Sequence, residues 1–183
     1  MSTSGDHHSA SAPAVICVLD SSALVETKAV LKIEQQFPFF KGLSFLLSAG
    51  QVAYPPQVAR EMTRVQYPDT PGAWIASERG TKRYHEPGDT TVAEVMNAAP
   101  DLVDPLDESD PADPYVLAMA LEIKRQHPDS MVVVVTNDFV DRRPVKSSLA
   151  SACEKMGVLS WNLAEFLEWV GPELEWMNAP LDE

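Results

Sequence analysis

Four acidic residues in separate segments of the chain have the chemistry to bind a divalent metal: Asp20, Glu61, Asp113 and Asp138. Mg²⁺ and Mn²⁺ are hard cations that prefer carboxylate oxygens and water as ligands. Carboxylates gathered in one cleft repel each other, which raises their pKa values until a cation binds. One or two metal ions held in this way can activate water and stabilise a phosphate leaving group. The residue types therefore predict an Mg²⁺ or Mn²⁺ site, provided that the fold brings the four together.

Two of these acids follow apolar runs that are typical of buried strands. Asp20 comes directly after Val15–Leu19, and Asp138 comes shortly after Met131–Val135. Uninterrupted apolar runs indicate parallel strands covered on both faces of the sheet. Ligands bind outside the carboxyl ends of such strands, where the strand order reverses. We therefore expect Asp20 and Asp138 to meet at one sheet edge and to be the core metal ligands, although either could also be a simple turn residue.

Glu61 lies in a helix that is predicted to begin at Pro56, because proline suits the first turn. Val58 and Met62 form the apolar stripe of this helix, and Glu61 falls on the same face. A glutamate that points inward is costly unless a cation or hydrogen bonds compensate it. We expect Glu61 to hold a metal-bound water or a second ion. The alternative is a weak surface pair with Arg64, three residues later.

Asp113 precedes Pro114 at the start of the strongest predicted helix, which runs to about Gln126. Asp-Pro pairs before this helix predict an extended connector, since proline disfavours helical geometry in the preceding residue. We expect Asp113 to bind the same ion as Asp20, directly or through water. The alternative is a plain helix cap with proline in the first turn.

Several neighbours of these acids have candidate roles as well. We expect Ser21 and Thr136 to orient the metal ligands through hydrogen bonds. Asp141 is one helical turn beyond Asp138 and is the alternative acid at that position. A basic cluster next to the predicted site could contact phosphate or a protein partner, or could be a solvated loop. Its members are Arg142, Arg143 and Lys146.

The remaining pattern alternates strands and helices, which predicts a parallel sheet with helices on both sides. A helix is expected from Ser21 to about Glu34, followed by a break at Gln35–Pro38. The predicted domain spans residues 15–171 and is flanked by a disordered tail at 1–14 and an acidic tail at 172–183. No apolar run is long enough to span a membrane, so no membrane span is expected. The sequence also lacks the pattern of a signal peptide, and the expected location is therefore the cytoplasm.

The net charge of −13, from 27 acidic and 14 basic residues, is unusual for a nucleic-acid-binding protein. An acidic surface repels phosphate unless a metal intervenes. A second interpretation therefore stays open, in which an acidic face binds a basic protein partner without catalysis. A phosphatase with an aspartate nucleophile is disfavoured, because Ser22 stands where a second aspartate is usual. Cys17 and Cys153 are expected to be single buried thiols, with no zinc-ligand spacing.

The ordered acids also carry a family resemblance. The segment Leu19–Leu24, read Leu-Asp-Ser-Ser-Ala-Leu, resembles the opening motif of PIN domains. Glu61 on its helix, Asp113 before Pro114, and Val135-Thr136-Asn137-Asp138 resemble the remaining PIN acids in the same order. The closing strand near Gly157 and the helix after Asn162 are similar too, so the resemblance covers roughly residues 15–171.

Within the PIN domains, the chain resembles the VapC-type toxins of bacterial toxin–antitoxin pairs. The resemblance implies a three-layer α/β/α fold with a central, mainly parallel sheet. It also implies an Mg²⁺- or Mn²⁺-dependent endoribonuclease that hydrolyses RNA. The implied metal-binding and catalytic acids are Asp20, Glu61, Asp113 and Asp138. A cognate antitoxin and a homodimer are the implied protein partners.

Overall fold

The structure, a computed structural model, describes residues 14–64, 68–78, 84–106, 109–142 and 144–171. Its centre is a sheet of four parallel strands in the spatial order β2-β1-β3-β4. The strands are β1 (Val15–Leu19), β2 (Val52–Ala53), β3 (Met131–Val135) and β4 (Leu159–Trp161). The predicted parallel sheet is thus confirmed. Tails were predicted at 1–14 and 172–183, and of these only residue 14 lies within the described residues.

Helices cover both faces of the sheet and complete the predicted three-layer α/β/α fold. Those in the described ranges are α1 (Ser21–Val30), α2 (Ile33–Ala49), α3 (Pro56–Met62), α4 (Thr70–Ser77), α5 (Asp89–Ala98), α6 (Asp113–Gln126), α7 (Leu149–Lys155) and α8 (Leu163–Val170). A short 3₁₀ turn, Pro100–Leu102, follows α5. None of the helices in these ranges combines the length and the apolar character that crossing a membrane requires.

The register of the sheet determines which residues meet at its carboxyl edge. Leu19 of β1 pairs with Val135 of β3, and the Asp20 N–H donates to the Val135 carbonyl at 2.9 Å. The chain runs from β1 outward to β2 on one side and then to β3 on the other, so the strand order reverses between β1 and β3. Asp20 and Thr136 therefore lie side by side at this reversal, where parallel sheets bind ligands.

The core is built from the two central strands and the helices packed on them. Cys17 and Val18 of β1 are fully buried, as is the apolar face of α6. Aromatic side chains fill the space between α2, α4 and α8, with Phe39 packing edge-on against both Phe40 and Phe166. This burial fixes the sheet, and with it the positions of residues that extend from its carboxyl edge.

The sequence prediction of a helix break at Gln35–Pro38 is wrong. Helix α1 ends earlier than expected, and α2 already begins at Ile33 and continues through Pro38. The Gln35 side chain accepts a hydrogen bond from the Lys32 N–H at 3.0 Å, which closes the first turn. Pro38 removes one helical hydrogen bond. Burial of the following residue, Phe39, offsets that cost.

Candidate active site

Asp20 is the most deeply buried acid of the site, with 1% of its surface exposed. As the N-cap of α1 it accepts hydrogen bonds from the Ser21 N–H at 2.7 Å and the Ser22 N–H at 3.3 Å. The Ser22 hydroxyl donates to Asp20 Oδ2 at 2.5 Å, and the Thr136 hydroxyl donates to the same oxygen at 2.9 Å. These donors fix the carboxylate at the carboxyl edge of β1.

Glu61 points from α3 toward the same edge. Its Oε2 accepts a hydrogen bond from the Ser21 hydroxyl at 2.5 Å, and its Oε1 accepts one from the Ala112 N–H at 2.8 Å. Both carboxylate oxygens are therefore held by groups of other segments, which compensates the inward direction of the side chain. Ser21 links Glu61 to Asp20, because its hydroxyl bonds one acid and its N–H the other.

Asp113 belongs to the same cluster and is not the cap of α6. Ala112 is the N-cap, and Asp113 is the first residue of the helix. The Asp113 side chain is only 14% exposed, and its Oδ2 lies 2.5 Å from Lys146 Nζ. The alternative prediction, a plain capping aspartate, is therefore wrong, because the carboxylate is directed into the cluster rather than onto its own helix.

Asp138 and Asp141 lie after β3 and have different partners. Asp138 accepts a hydrogen bond from the Leu149 N–H at 3.1 Å, and its Oδ2 lies 3.9 Å from Lys146 Nζ. Asp141 accepts from both the N–H and the hydroxyl of Ser148, at 2.9 and 3.0 Å. Asp138 thus borders the lysine that reaches Asp113, whereas these contacts of Asp141 fix the N-cap of α7.

Charge repulsion and burial shift the pKa values in the cluster. Burial raises the pKa of Asp20, and the negative charge of Glu61 raises it further, while hydrogen bonds from Ser22 and Thr136 oppose the shift. Burial and the charge of Asp20 raise the pKa of Asp113 to about 6, although the hydrogen bond and charge of Lys146 act to lower it. The acids are therefore close enough to feel each other's charge, and a cation would relieve the repulsion.

The two described members of the basic cluster, Arg142 and Lys146, lie in different environments. Lys146 reaches the acids, as described, and its backbone pairs with that of Arg142, whose N–H donates to the Lys146 carbonyl at 2.8 Å. Arg142 is exposed. Arg143 lies outside the described residues. Burial acts to lower the pKa of Lys146, but its hydrogen bond to Asp113 and the charges of Asp113 and Asp138 raise it, so the ammonium stays protonated.

Two contributions to the site were missed by the sequence analysis. Ser22 had no predicted role at the metal site, yet its hydroxyl donates to Asp20 and accepts from the Asn137 N–H at 2.8 Å, which connects the two strand ends. Lys146 was expected to contact phosphate or a partner rather than to lie among the acids. The Asp-Ser-Ser sequence signals the first role, since hydroxyls after a strand-end aspartate can bond it. No local sequence pattern indicates that Lys146 lies among the acids.

The donor set fits a hard divalent cation, because it consists of carboxylates that repel one another and already attract one ammonium group. Asp20, Asp113 and Asp138 would hold the ion, with Glu61 beside them. In the described part of the chain, however, no three acidic, histidine or cysteine side chains are grouped closely enough to hold a metal. Lys146 lies between Asp113 and Asp138, so these side chains would have to rearrange around an ion.

Comparisons with known proteins identify the family of the chain without assigning it an activity. Neither the curated proteins nor the solved structures give a match. A family model described as a domain of unknown function, DUF4411, matches residues 17–173. The match begins within β1, includes β4 and covers every acid discussed above. The chain therefore belongs to the DUF4411 family.

Proposed function

We propose that the protein is a PIN-like, metal-dependent endoribonuclease that acts as the toxin of a VapC-type toxin–antitoxin pair in the cytoplasm. One observation carries the proposal. Asp20 is buried at the strand reversal, where the negative charge of Glu61 adds to burial in raising its pKa, and where Asp20 in turn raises the pKa of Asp113. A structural aspartate would need only its capping hydrogen bonds, whereas gathered carboxylates are costly unless they serve a cation.

The parallel α/β fold and the chain order of the acids support the same proposal. The acids come from the ends of β1 and β3 and from α3 and α6, so four segments separated in sequence supply one cluster. Structural ion pairs do not need such a convergence. A site that positions a phosphodiester does, because reacting groups must be held in a fixed geometry.

The four acids would have different roles in metal binding and in the orientation of water. Asp20, held by Ser22 and Thr136, is the rigid anchor of the cation. Asp113 and Asp138 would complete the ligand set, and Glu61 would orient a water molecule. The cation, Mg²⁺ or Mn²⁺, supplies Lewis acidity and offsets the phosphate charge. Because the protein is strongly acidic, RNA would approach most readily where a bound cation offsets the charge of the carboxylates.

RNA cleavage in the presence of Mn²⁺ tests the proposal. The wild type is compared with Asp20→Asn and Asp138→Asn, which keep side-chain size and remove the charge. Asp129→Asn, in the exposed turn before β3, is the matched control. We expect cleavage by the wild type and the control, loss of about a hundredfold or more in the two site variants, and no cleavage with EDTA.

Thermal melting of each variant shows whether a loss of cleavage reflects loss of the fold. Equal cleavage by all four proteins would point to a contaminating nuclease and would overturn the assignment. The same conclusion would follow if folded wild-type protein left structured and single-stranded RNA substrates intact with both Mg²⁺ and Mn²⁺.

A second function has one observation in its favour. Lys146 shows that the acidic cluster accepts an ammonium group, so a lysine or arginine of a basic partner could bind there without catalysis. The net charge of −13 favours such a partner over RNA. Thermal melting with Mn²⁺ separates the two functions. An enzyme should be stabilised by the metal and lose this effect in Asp20→Asn, whereas a binding module should show no specific Mn²⁺ effect.

The toxin assignment includes a cognate antitoxin and a homodimer. Helix α2 exposes large apolar side chains that such contacts could bury, with Ile33 at 69%, Phe37 at 73% and Phe45 at 67% exposure. Isolated exposed apolar residues are ordinary, but several on one helix are typical of an interface. Light scattering after gel filtration should show a dimer for the wild type and a monomer for the Ile33→Ser/Phe37→Ser variant.

A further inference from the structure

Lys146 lies in the acidic cluster although it belongs to an exposed loop. Its Nζ is 2.5 Å from Asp113 Oδ2 and 3.9 Å from Asp138 Oδ2. The lysine side chain is 25% exposed, and the two aspartates are 14% and 20% exposed. The ammonium is therefore a positive charge between two of the carboxylates that would bind a metal.

The loop geometry holds the lysine in this direction. Residues 142 and 146 form an antiparallel bridge, in which the Lys146 N–H donates to the Arg142 carbonyl at 3.2 Å. The next residue, Ser147, donates its N–H to the Asp101 carbonyl at 2.7 Å. The backbone on both sides of Lys146 is thus fixed, whereas its four-carbon side chain keeps the freedom to swing away.

An ammonium and a divalent cation cannot share this place. Opposite charges in contact attract strongly in a partly buried site, and two cations there would repel each other by a similar amount. A single ammonium balances only part of the charge of four carboxylates. A divalent cation balances more of it and accepts several oxygens at once.

We propose that Lys146 is an internal counter-ion that lies between Asp113 and Asp138 until a divalent cation displaces it, so that it sets the metal concentration at which the site fills. The inference rests on the proposed function, because it assumes that these acids bind metal. It assigns to Lys146 a role toward the metal, rather than the phosphate or partner contact that the basic cluster suggests.

Lys146→Met tests the proposal, because it keeps an unbranched side chain of nearly the same length and removes the charge. Arg142→Met is the matched control, since it removes one positive charge from the same loop. Mn²⁺ binding is measured by calorimetry, and the metal-free stability by urea unfolding in EDTA. We expect Lys146→Met to bind Mn²⁺ more tightly than the wild type by about tenfold or more and to be less stable without metal. Arg142→Met should stay close to wild type in both measurements.

Two results would overturn the inference. The first is an Mn²⁺ affinity of Lys146→Met that is equal to or weaker than that of Arg142→Met, while the wild type binds the metal. This result would leave the proposed nuclease intact. The second is the absence of Mn²⁺ binding in both the wild type and Lys146→Met, which would remove the metal-dependent function as well. Binding by Lys146→Met alone would support the counter-ion role directly.

Discussion

The Thr136 hydroxyl donates a hydrogen bond to Asp20 Oδ2 at 2.9 Å, so the residue after β3 holds the residue after β1. The same hydroxyl accepts the Asp138 N–H at 3.0 Å. Thr136 is fully buried. One side chain therefore sets the position of both strand-end acids, and the sheet register is what places it beside Asp20.

Thr136→Val should reduce the free energy of unfolding by about 1–3 kcal/mol. Valine has the same shape, but it leaves the buried Asp20 without one donor and the Asp138 N–H without its acceptor. Urea unfolding in EDTA measures the effect. Thr136→Ser keeps the hydroxyl and should retain most of the stability, and a valine variant as stable as wild type would contradict the role described for Thr136.

Glu61→Gln should weaken Mn²⁺ binding by roughly tenfold while leaving the metal-free protein at least as stable as wild type. The charge of Glu61 raises the pKa of Asp20, so removing it relieves repulsion in the metal-free cluster. The same charge contributes to the attraction for a cation. Calorimetry measures the affinity for Mn²⁺, and urea unfolding in EDTA measures the stability of the metal-free protein.

The matched control for Glu61→Gln is Glu34→Gln, which removes an exposed carboxylate from α2. It should change neither quantity. A Glu61→Gln variant that lost stability and kept its Mn²⁺ affinity would show that Glu61 has only a structural role, through its bonds to Ser21 and Ala112.

Asp113 should make the metal-free protein less stable as the pH rises from about 4 to about 6. Its pKa is raised to about 6 in the folded protein, so the folded state binds more protons than the unfolded state in this window. Stability falls with pH wherever the folded state is the more protonated. Asp113→Asn should remove this part of the pH dependence, so unfolding curves of wild type and variant in EDTA should diverge across the window.

Asp69 provides a control of opposite sign. Burial acts to raise its pKa, but hydrogen bonds from Lys28 and the Gly72 N–H outweigh it and lower the pKa. Its stabilising contribution is present at neutral pH and is lost as the pH falls toward and below the lowered pKa. Asp69→Asn should therefore lose stability relative to wild type mainly above pH 4. If both variants changed in the same direction, the charge environment assigned to Asp113 would be wrong.

The two thiols should not react with a thiol reagent at pH 8 while the protein is folded. Burial raises the pKa of Cys17, and burial together with the charges of Asp20 and Asp113 raises the pKa of Cys153 to about 12. The reactive thiolate is therefore scarce at pH 8, and both residues are covered. Labelling with and without urea checks this, and rapid labelling of Cys153 in folded protein would contradict its position behind the acids.

The sequence by itself determined the layers of the fold and the order of the acids. The apolar runs at Val15–Leu19 and Met131–Val135 indicate strands buried on both faces, because apolar side chains that point to both faces of a sheet are removed from water only when both faces are covered. That alone predicts that Asp20 and Asp138 extend from the same sheet edge. The helical spacing around Val58 likewise predicts that Glu61 points inward.

Only the tertiary structure decided how the acids are held and what lies between them. Lys146 is far from Asp113 in the chain, and its position depends on how the loop before α7 packs, which no local pattern encodes. The same holds for Ala112, whose N–H fixes Glu61, and for α2, where burial of Phe39 outweighs the helix-breaking tendency of Pro38. Contacts between distant segments are decided by packing and charge in the folded chain. Hydrophobic periodicity in the sequence indicates only which face of each helix or strand is buried.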